Sequence, residues 1–307
     1  MRQAFGAVVL AAWLVVSGLP ATGGLVACVH AQAVHAQQDQ SVQGFDHPES
    51  VAYDPVAKVL YVSRFGPELR PTLKDGKGAI SKVSLAGSIL EDRFLPAGDA
   101  ILHKPKGLWV WGQRLWVTDI DTVWIFDLKS RRGKRAVLPG AAFANDVTVM
   151  NGALFVSDTE KRRIYRITPA DFLESEKAPT VTVAWDHLGF SPNGLYPSAQ
   201  DVLVAVGYGT GNREEGIYRL CAEGRVTALA DGLGRLDGLA PLGDKIWLVT
   251  DWKSGSLATW DSGLRIRPLA RGFQGPADFC VVSSNKGLTA VVPDLVTGQL
   301  RMIRLIR

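Results

Sequence analysis

Four oxygen-bearing side chains, Glu49, Asn145, Asn193 and Asp237, occupy the same place in a short phrase that the chain repeats six times. The copies read Pro48-Glu49-Ser50-Val51, Pro105-Lys106-Gly107-Leu108, Ala144-Asn145-Asp146-Val147, Pro192-Asn193-Gly194-Leu195, Leu236-Asp237-Gly238-Leu239 and Pro276-Ala277-Asp278-Phe279. The second position is polar in five copies, the third is small or acidic and the fourth apolar. Plain packing would call for Val, Ala or Gly at the second position. Oxygen donors of this kind suit a hard cation, and calcium fits better than zinc because no Cys or His joins the set. Two carboxylates buried together without a cation would be costly, which strengthens the inference.

The elements that must position these residues follow from the spacing. The phrase returns at roughly 40- to 57-residue intervals, the period of a propeller or solenoid, and each copy opens a β-rich block. In a propeller the innermost strand of each blade begins beside the central axis, so the second position of every copy points towards a shared axial space. That column is Glu49, Lys106, Asn145, Asn193, Asp237 and Ala277; the next is Ser50, Gly107, Asp146, Gly194, Gly238 and Asp278. Block two illustrates the strands: Gly107–Trp111, Arg114–Thr118, Thr122–Leu128 and an outer run near Lys134–Leu138, with turns between them. Block three carries the type I′ hairpin signal Asn151-Gly152. Five blocks hold four strands and the sixth three, so residues near Ser41–Phe45 are expected to supply the missing outer strand and remove an unpaired edge. The expected fold is all-β: a six-bladed β-propeller of four-stranded blades over residues 37–307, closed by an N-terminal strand completing the last blade. Most tryptophans lie in or beside strands and read as packing between blades. The long loop Arg64–Gly78 reads as a lid or as a loose insertion.

Lys106 strains the pattern, because a positive charge at the axis opposes a bound cation. Three roles are open to it: anchor for a substrate carboxylate or phosphate, salt bridge to Asp146 or Asp278, or replacement for the metal. Asp146, Asp278, Tyr208, Arg213 and Trp252 are expected as further substrate contacts around the mouth. His47, His103 and His187 suit a proton shuttle or a plain loop role. Asp119, Asp158, Asp251 and Asp294 follow second strands and read as turn caps near the same mouth.

Composition sets the outer limits. The 307 residues are 47% hydrophobic and 21% charged, an ordinary globular balance. Net charge is +4, yet the one basic cluster, Lys129 with Arg131, Arg132, Lys134 and Arg135, lacks the interleaved aromatics of a nucleic-acid surface, so no nucleic-acid partner is expected. Residues 1–36 read as an export signal, with Arg2 ahead of an apolar run at Ala7–Leu19 that is too short to span a bilayer. Ala31-Gln32-Ala33 and Val34-His35-Ala36 both suit signal peptidase, while Leu25-Val26-Ala27-Cys28 offers a lipoprotein box with Cys28 as lipid anchor. The protein is expected outside the cytoplasm, periplasmic or secreted. Cys221 and Cys280 fall in different blades and read as two buried free thiols. No Gly-x-Ser-x-Gly elbow, phosphate loop or Cys-x-x-Cys pair occurs.

Pro48-Glu49-Ser50, Asn145-Asp146, Pro192-Asn193-Gly194-Leu195 and Asp237-Gly238-Leu239, in this order on successive blades, resemble the gluconolactonase family, which includes the senescence-marker protein regucalcin. Paraoxonase and diisopropyl fluorophosphatase are more distant relatives with a similar site. The resemblance covers about Gly44 to Arg307. It implies Glu49, Asn193 and Asp237 as metal ligands, with Asn145 a fourth ligand or the holder of a metal-bound water. It also implies a divalent cation acting as Lewis acid on a lactone or ester carbonyl, with Asp237 activating water or serving as nucleophile. Asn145 and Lys106 complete the expected catalytic set. A monomer acting on a small lactone, ester or sugar-acid derivative is one expectation. A non-catalytic, metal-free propeller that binds a small ligand or protein through the same mouth is the other.

Overall fold

Short β-forming runs joined by tight turns can pair only with their chain neighbours, and antiparallel, so each block closes into its own small sheet. The Asn151-Gly152 turn takes φ of 52° and 72°, the left-handed pair that its hairpin demands. The structure, a computed structural model, describes residues 34–306 apart from 200, 201, 210–212, 222, 244, 263, 264 and 286.

After β1 (His35–Gln43), blade one holds β2 (Pro48–Asp54), β3 (Val59–Arg64), β4 (Ala79–Ser84) and β5 (Ile89–Leu95). Blade two holds β6 (Pro105–Trp111), β7 (Arg114–Asp119), β8 (Thr122–Asp127) and β9 (Gly133–Val137). Blade three holds β10 (Ala144–Met150), β11 (Ala153–Asp158), β12 (Arg163–Thr168) and β13 (Thr180–Trp185). Blade four holds β14 (Pro192–Ala199), β15 (Val202–Gly207), β16 (Glu215–Cys221) and β17 (Val226–Gly234). Blade five holds β18 (Leu236–Pro241), β19 (Trp247–Asp251), β20 (Ser256–Trp260) and β21 (Arg267–Arg271). Blade six holds β22 (Cys280–Ser284), β23 (Gly287–Asp294) and β24 (Gln299–Ile306), and β1 completes it by pairing antiparallel with β24 from His35 opposite Ile306 to Gln43 opposite Gln299. No helix occurs among the described residues.

The closing strand differs from its expected bounds. It starts at His35, and Phe45 leaves the sheet to pack with Val51, Leu60 and Leu300 between blades six and one. Of the expected leader, residues 1–33 with Cys28 lie outside the described residues, whereas His35 and Ala36 already belong to β1. Cleavage after Ala33 would leave this strand whole; cleavage after Ala36 would trim it.

Each boundary between neighbouring blades has its own hydrophobic cluster, and six clusters close the ring. Trp116, Trp124, Trp185 and Trp260 are buried in them as expected. Two tryptophans depart from that role. Trp111 is exposed at a hairpin, and Trp252 lies at the mouth. Cys221 and Cys280 are free thiols but only half-buried by exposure, because each sits at a strand end.

At every repeated phrase in blades one to five, the pairing of the innermost strand with its neighbour slips, as between Ala144 and Val147 or between Leu236 and Leu239. Such a bulge takes a residue out of the ladder and re-aims its side chain. The freed backbone groups then need partners, and hydroxyls on the second strand supply them. Ser63, Ser157 and Thr250 accept from the amides of Ser50, Asp146 and Gly238 at 2.8–2.9 Å. Thr118 and Thr250 also donate to carbonyls of the next blade, those of Asn145 and Ala277. The third position of the phrase is tight for a different reason. A Cβ on Gly107, Gly194 or Gly238 would come within 2.4–2.7 Å of the next blade's repeated phrase, at Asp146, Asp237 or Asp278.

The aspartates that end second strands cap turns, as their sequence positions suggested. Asp119 accepts from the amides of His103 and Lys104, Asp158 from Ala142 and Phe143, and Asp294 from Gln274 and Gly275. Blades one and four break the rule: β15 ends in Gly207, and in blade one Arg64 stands where the acid would be and pairs outward with Asp92 at 2.6 Å.

The bulge network makes a definite prediction. Thr250→Val keeps the shape but leaves the Gly238 amide and the Ala277 carbonyl buried without partners. A loss of about 1–3 kcal/mol is expected in urea unfolding, with most of it restored in Thr250→Ser.

Candidate functional site

Successive residues of an extended strand point to opposite sides, so the two columns of the repeat serve two different spaces. The first column reaches the end of the axis where the innermost strands begin. There Glu49, Asn145, Asn193 and Asp237 form the floor of a cavity of about 430 Å³. Its walls are Phe65, Pro71, Phe143, Tyr208, Trp252 and Leu295, with Thr159, Glu160 and Arg235 towards the rim. Four residues from four blades, each at most 5% exposed, are thereby brought together as expected.

The floor is strongly acidic for a buried place. Among the described residues Glu49 Oε2 and Asp237 Oδ1 are buried and find no hydrogen-bond partner. Burial, and then the charge of Asp237, raises the Glu49 carboxyl well above the ordinary carboxylate range. Burial, and then the charge of Asp278, pushes Asp237 up to about 8, although Trp252 Nε1 donates to its Oδ2 at 2.8 Å and the Asn193 side chain also favours the charged form. Asn145 Nδ2 donates to Thr159 Oγ1 at 3.0 Å, and that hydroxyl donates on to the Pro192 carbonyl at 2.8 Å. This fixes the carboxamide by its nitrogen and leaves its oxygen as the group available to a ligand. Two carboxylates and two carboxamides fit a hard cation, and the two orphaned oxygens mark where its charge is needed. Half the donors are amides: among the described residues no three acids, histidines or cysteines gather as a metal-binding group.

Lys106 is not part of this floor. Its ammonium is fully buried, donates to the carbonyls of Pro71 at 3.0 Å and Lys104 at 3.2 Å, and lies 4.5 Å from the centre of the Phe143 ring. It makes no ion pair among the described residues, so it neither bridges to Asp146 or Asp278 nor fills the cation position. Burial lowers its pKa to about 8, against the pull of Glu49. Beside it, Lys104 is also fully buried and donates to the carbonyls of Phe65 and Glu68 and, at 2.8 Å, to Asp75. These two lysines clasp the loop that follows β3. The loop is therefore a docked cover that lends Phe65 and Pro71 to the cavity wall, and the loose-insertion reading fails.

Asp146 and Asp278 belong to the second column and line a different cavity, of about 460 Å³, towards the other end of the innermost strands with Leu108, Leu195, Leu239 and Phe279. The expectation that they meet substrate at the mouth is corrected by the alternation of the strand. They tie blades together instead: Asp146 accepts from the Leu195 amide at 2.6 Å, and Asp278 from the Ser50 hydroxyl at 2.7 Å. Tyr208 and Trp252 do line the mouth, meeting edge to face at 5.9 Å. Arg213 does not; it donates to the Gly189 carbonyl at 2.7 Å and faces Glu215. His47 contacts the Leu295 carbonyl, His103 accepts from the Gly76 amide and His187 is exposed, so none joins the cavity wall.

Lys104, Phe143 and Arg235 escaped the sequence reading. Each lies two residues before a first-column residue and so shares its side of the chain, a signal that the period of two contains.

No protein-family model and no curated protein matches the chain. Solved structures do share its fold. A protein provisionally named a gluconolactonase superposes with a TM-score of 0.64 at 15% identity, covering 88% of this chain and 92% of the other. A streptogramin B lyase gives 0.60 at 12% identity over 88% and 98%, and virginiamycin B lyase from Staphylococcus aureus 0.59 at 16% over 88% and 99%. Two of these structures carry lyase names, and at these identities the likeness speaks for the fold alone.

The clasp can be tested by Lys104→Met. Removing one partner of a buried ion pair costs about 3–5 kcal/mol, and the freed loop is expected to be cut by trypsin at Lys74 or Lys77 under conditions that leave the wild type intact. Equal digestion of both proteins would remove the clasp.

Proposed function

We propose that this propeller is an exported, calcium-dependent hydrolase of a lactone or related ester, acting as a monomer on a small molecule such as a sugar-acid derivative. The observation that carries the reading is the pair of buried, unpartnered oxygens, Glu49 Oε2 and Asp237 Oδ1, on the floor of an aromatic-walled cavity. Acids that serve only packing find donors or move to the surface. The motif resemblance to gluconolactonases and the fold shared with a provisionally named one support the same reading.

Glu49, Asn145, Asn193 and Asp237 would hold a divalent cation, which when bound supplies Lewis acidity to a carbonyl at the floor. The rest is the work of the chain. Trp252 and Asn193 hold Asp237 so that Oδ2 is committed and Oδ1 is left for the reaction: it takes a proton from the water attacking the carbonyl, or itself attacks for water to release the acyl group afterwards, and by either route the ester C–O bond breaks and its oxygen leaves as the alcohol. Thr159 fixes Asn145. Phe65, Phe143 and Trp252 exclude bulk water, which strengthens each polar contact at the floor. Lys106 acts on the loop, and through it on the cavity wall.

Purified protein is expected to carry one divalent cation per chain, and chelation to lower its melting temperature, with calcium restoring it. Asp237→Ala is expected to reduce turnover across a lactone panel at least about a hundredfold. Protein without bound cation, whose melting ignores calcium and chelator, would instead be a metal-free binding propeller. Undiminished turnover in Asp237→Ala would take that residue out of the mechanism.

A further inference from the structure

Above its acidic floor the mouth cavity is walled by Phe65, Phe143, Tyr208 and Trp252, and among the described residues Arg235 is the one basic side chain that lines it. Arg235 lines the cavity half-buried, its guanidinium 6.0 Å from the centre of the Tyr208 ring. Among the described residues no carboxylate lies within ion-pair distance of it. Its backbone is held on both sides, the amide by Asp251 Oδ1 and the carbonyl by the Trp252 amide, each at 2.9 Å. The other charged rim residue, Glu160, is exposed and makes no pair with it. Lys104 and Lys106 are sealed under the loop, and Arg213 is engaged elsewhere. An anion desolvated in a cavity floored by carboxyl and carboxamide groups needs a positive group in the wall. A guanidinium fixed by its backbone and free at its tip is suited to grip a carboxylate through two parallel hydrogen bonds.

We infer that the mouth selects a ring-bearing ligand with a free carboxylate: Arg235 reads the anion, while Phe143, Tyr208 and Trp252 take the flat apolar body. This rests on the hydrolase reading for the bond cleaved at the floor; the anion site stands without it.

Calorimetric titration with 3-phenylpropionate, its neutral amide and hexanoate, each with calcium and with chelator, tests the inference. The wild type is expected to bind the acid at least about tenfold more tightly than the amide in both buffers. Arg235→Gln should bring that ratio to about one without changing amide affinity. Hexanoate should bind more weakly than the ring acid. Equal binding of acid and amide by the wild type, or a preference kept in Arg235→Gln, would overturn the anion site. So would a preference present only with calcium, since the acid would then sit on the floor cation. Equal binding of hexanoate would overturn the ring half. If Arg235→Gln does not fold, Arg235→Lys decides: the preference should shrink, and an unchanged one refutes the fork. Absent turnover with intact acid preference would count against the hydrolase reading alone.

Discussion

The slip in pairing at the head of the innermost strand in blades one to five is the constraint on which the mouth depends. A regular ladder would fix every backbone group and leave side chains at the mercy of strict alternation. A bulge releases a few of those groups, and each must then be satisfied in a place that water does not reach. Hydroxyls from the second strand meet that demand, and where they also reach the next blade, as Thr250 does, the same atom positions the site and joins the ring. Chemistry and closure therefore share their fastenings.

That economy explains why blade one differs. Its second strand ends in Arg64 where most others end in an acid, so no carboxylate at that strand end caps its connecting segment. The segment is long, and the next blade's Lys104 and Lys106 hold it by its carbonyls. A lysine in the axial column looked hostile to a bound cation when only its charge was considered. Seen with its partners, the ammonium is spent on the carbonyls of Pro71 and Lys104 and on a ring face, and the floor keeps its acidic character.

Much of the architecture was legible because it repeats: six phrases gave six blades, and three strands in the last block gave the closing strand. The column of Glu49, Asn145, Asn193 and Asp237 was legible for the same reason. What failed was direction. Asp146 and Asp278 were placed at the mouth by sequence adjacency, although neighbours in a strand face apart, and the residues that do share the mouth side, Phe143 and Arg235, lay one step further back. Lys104 was unreadable as a clasp because two of its three partners are backbone carbonyls, 36 and 39 residues away along the chain, and carbonyls leave no mark in a sequence.

The outermost strand of blade six comes from the start of the described chain, and it has a bearing on the order of assembly. Five of the six hydrophobic boundaries can form as the blades appear one after another, but the boundary around Val51, Leu60 and Leu300 needs both extremes of the domain at once. Contacts of such long separation in sequence are slow to form and reward the chain only when complete. A growing or threading polypeptide would thus remain an open arc, with its acidic floor unassembled, until Gln299–Ile306 arrived to meet the strand that had waited longest.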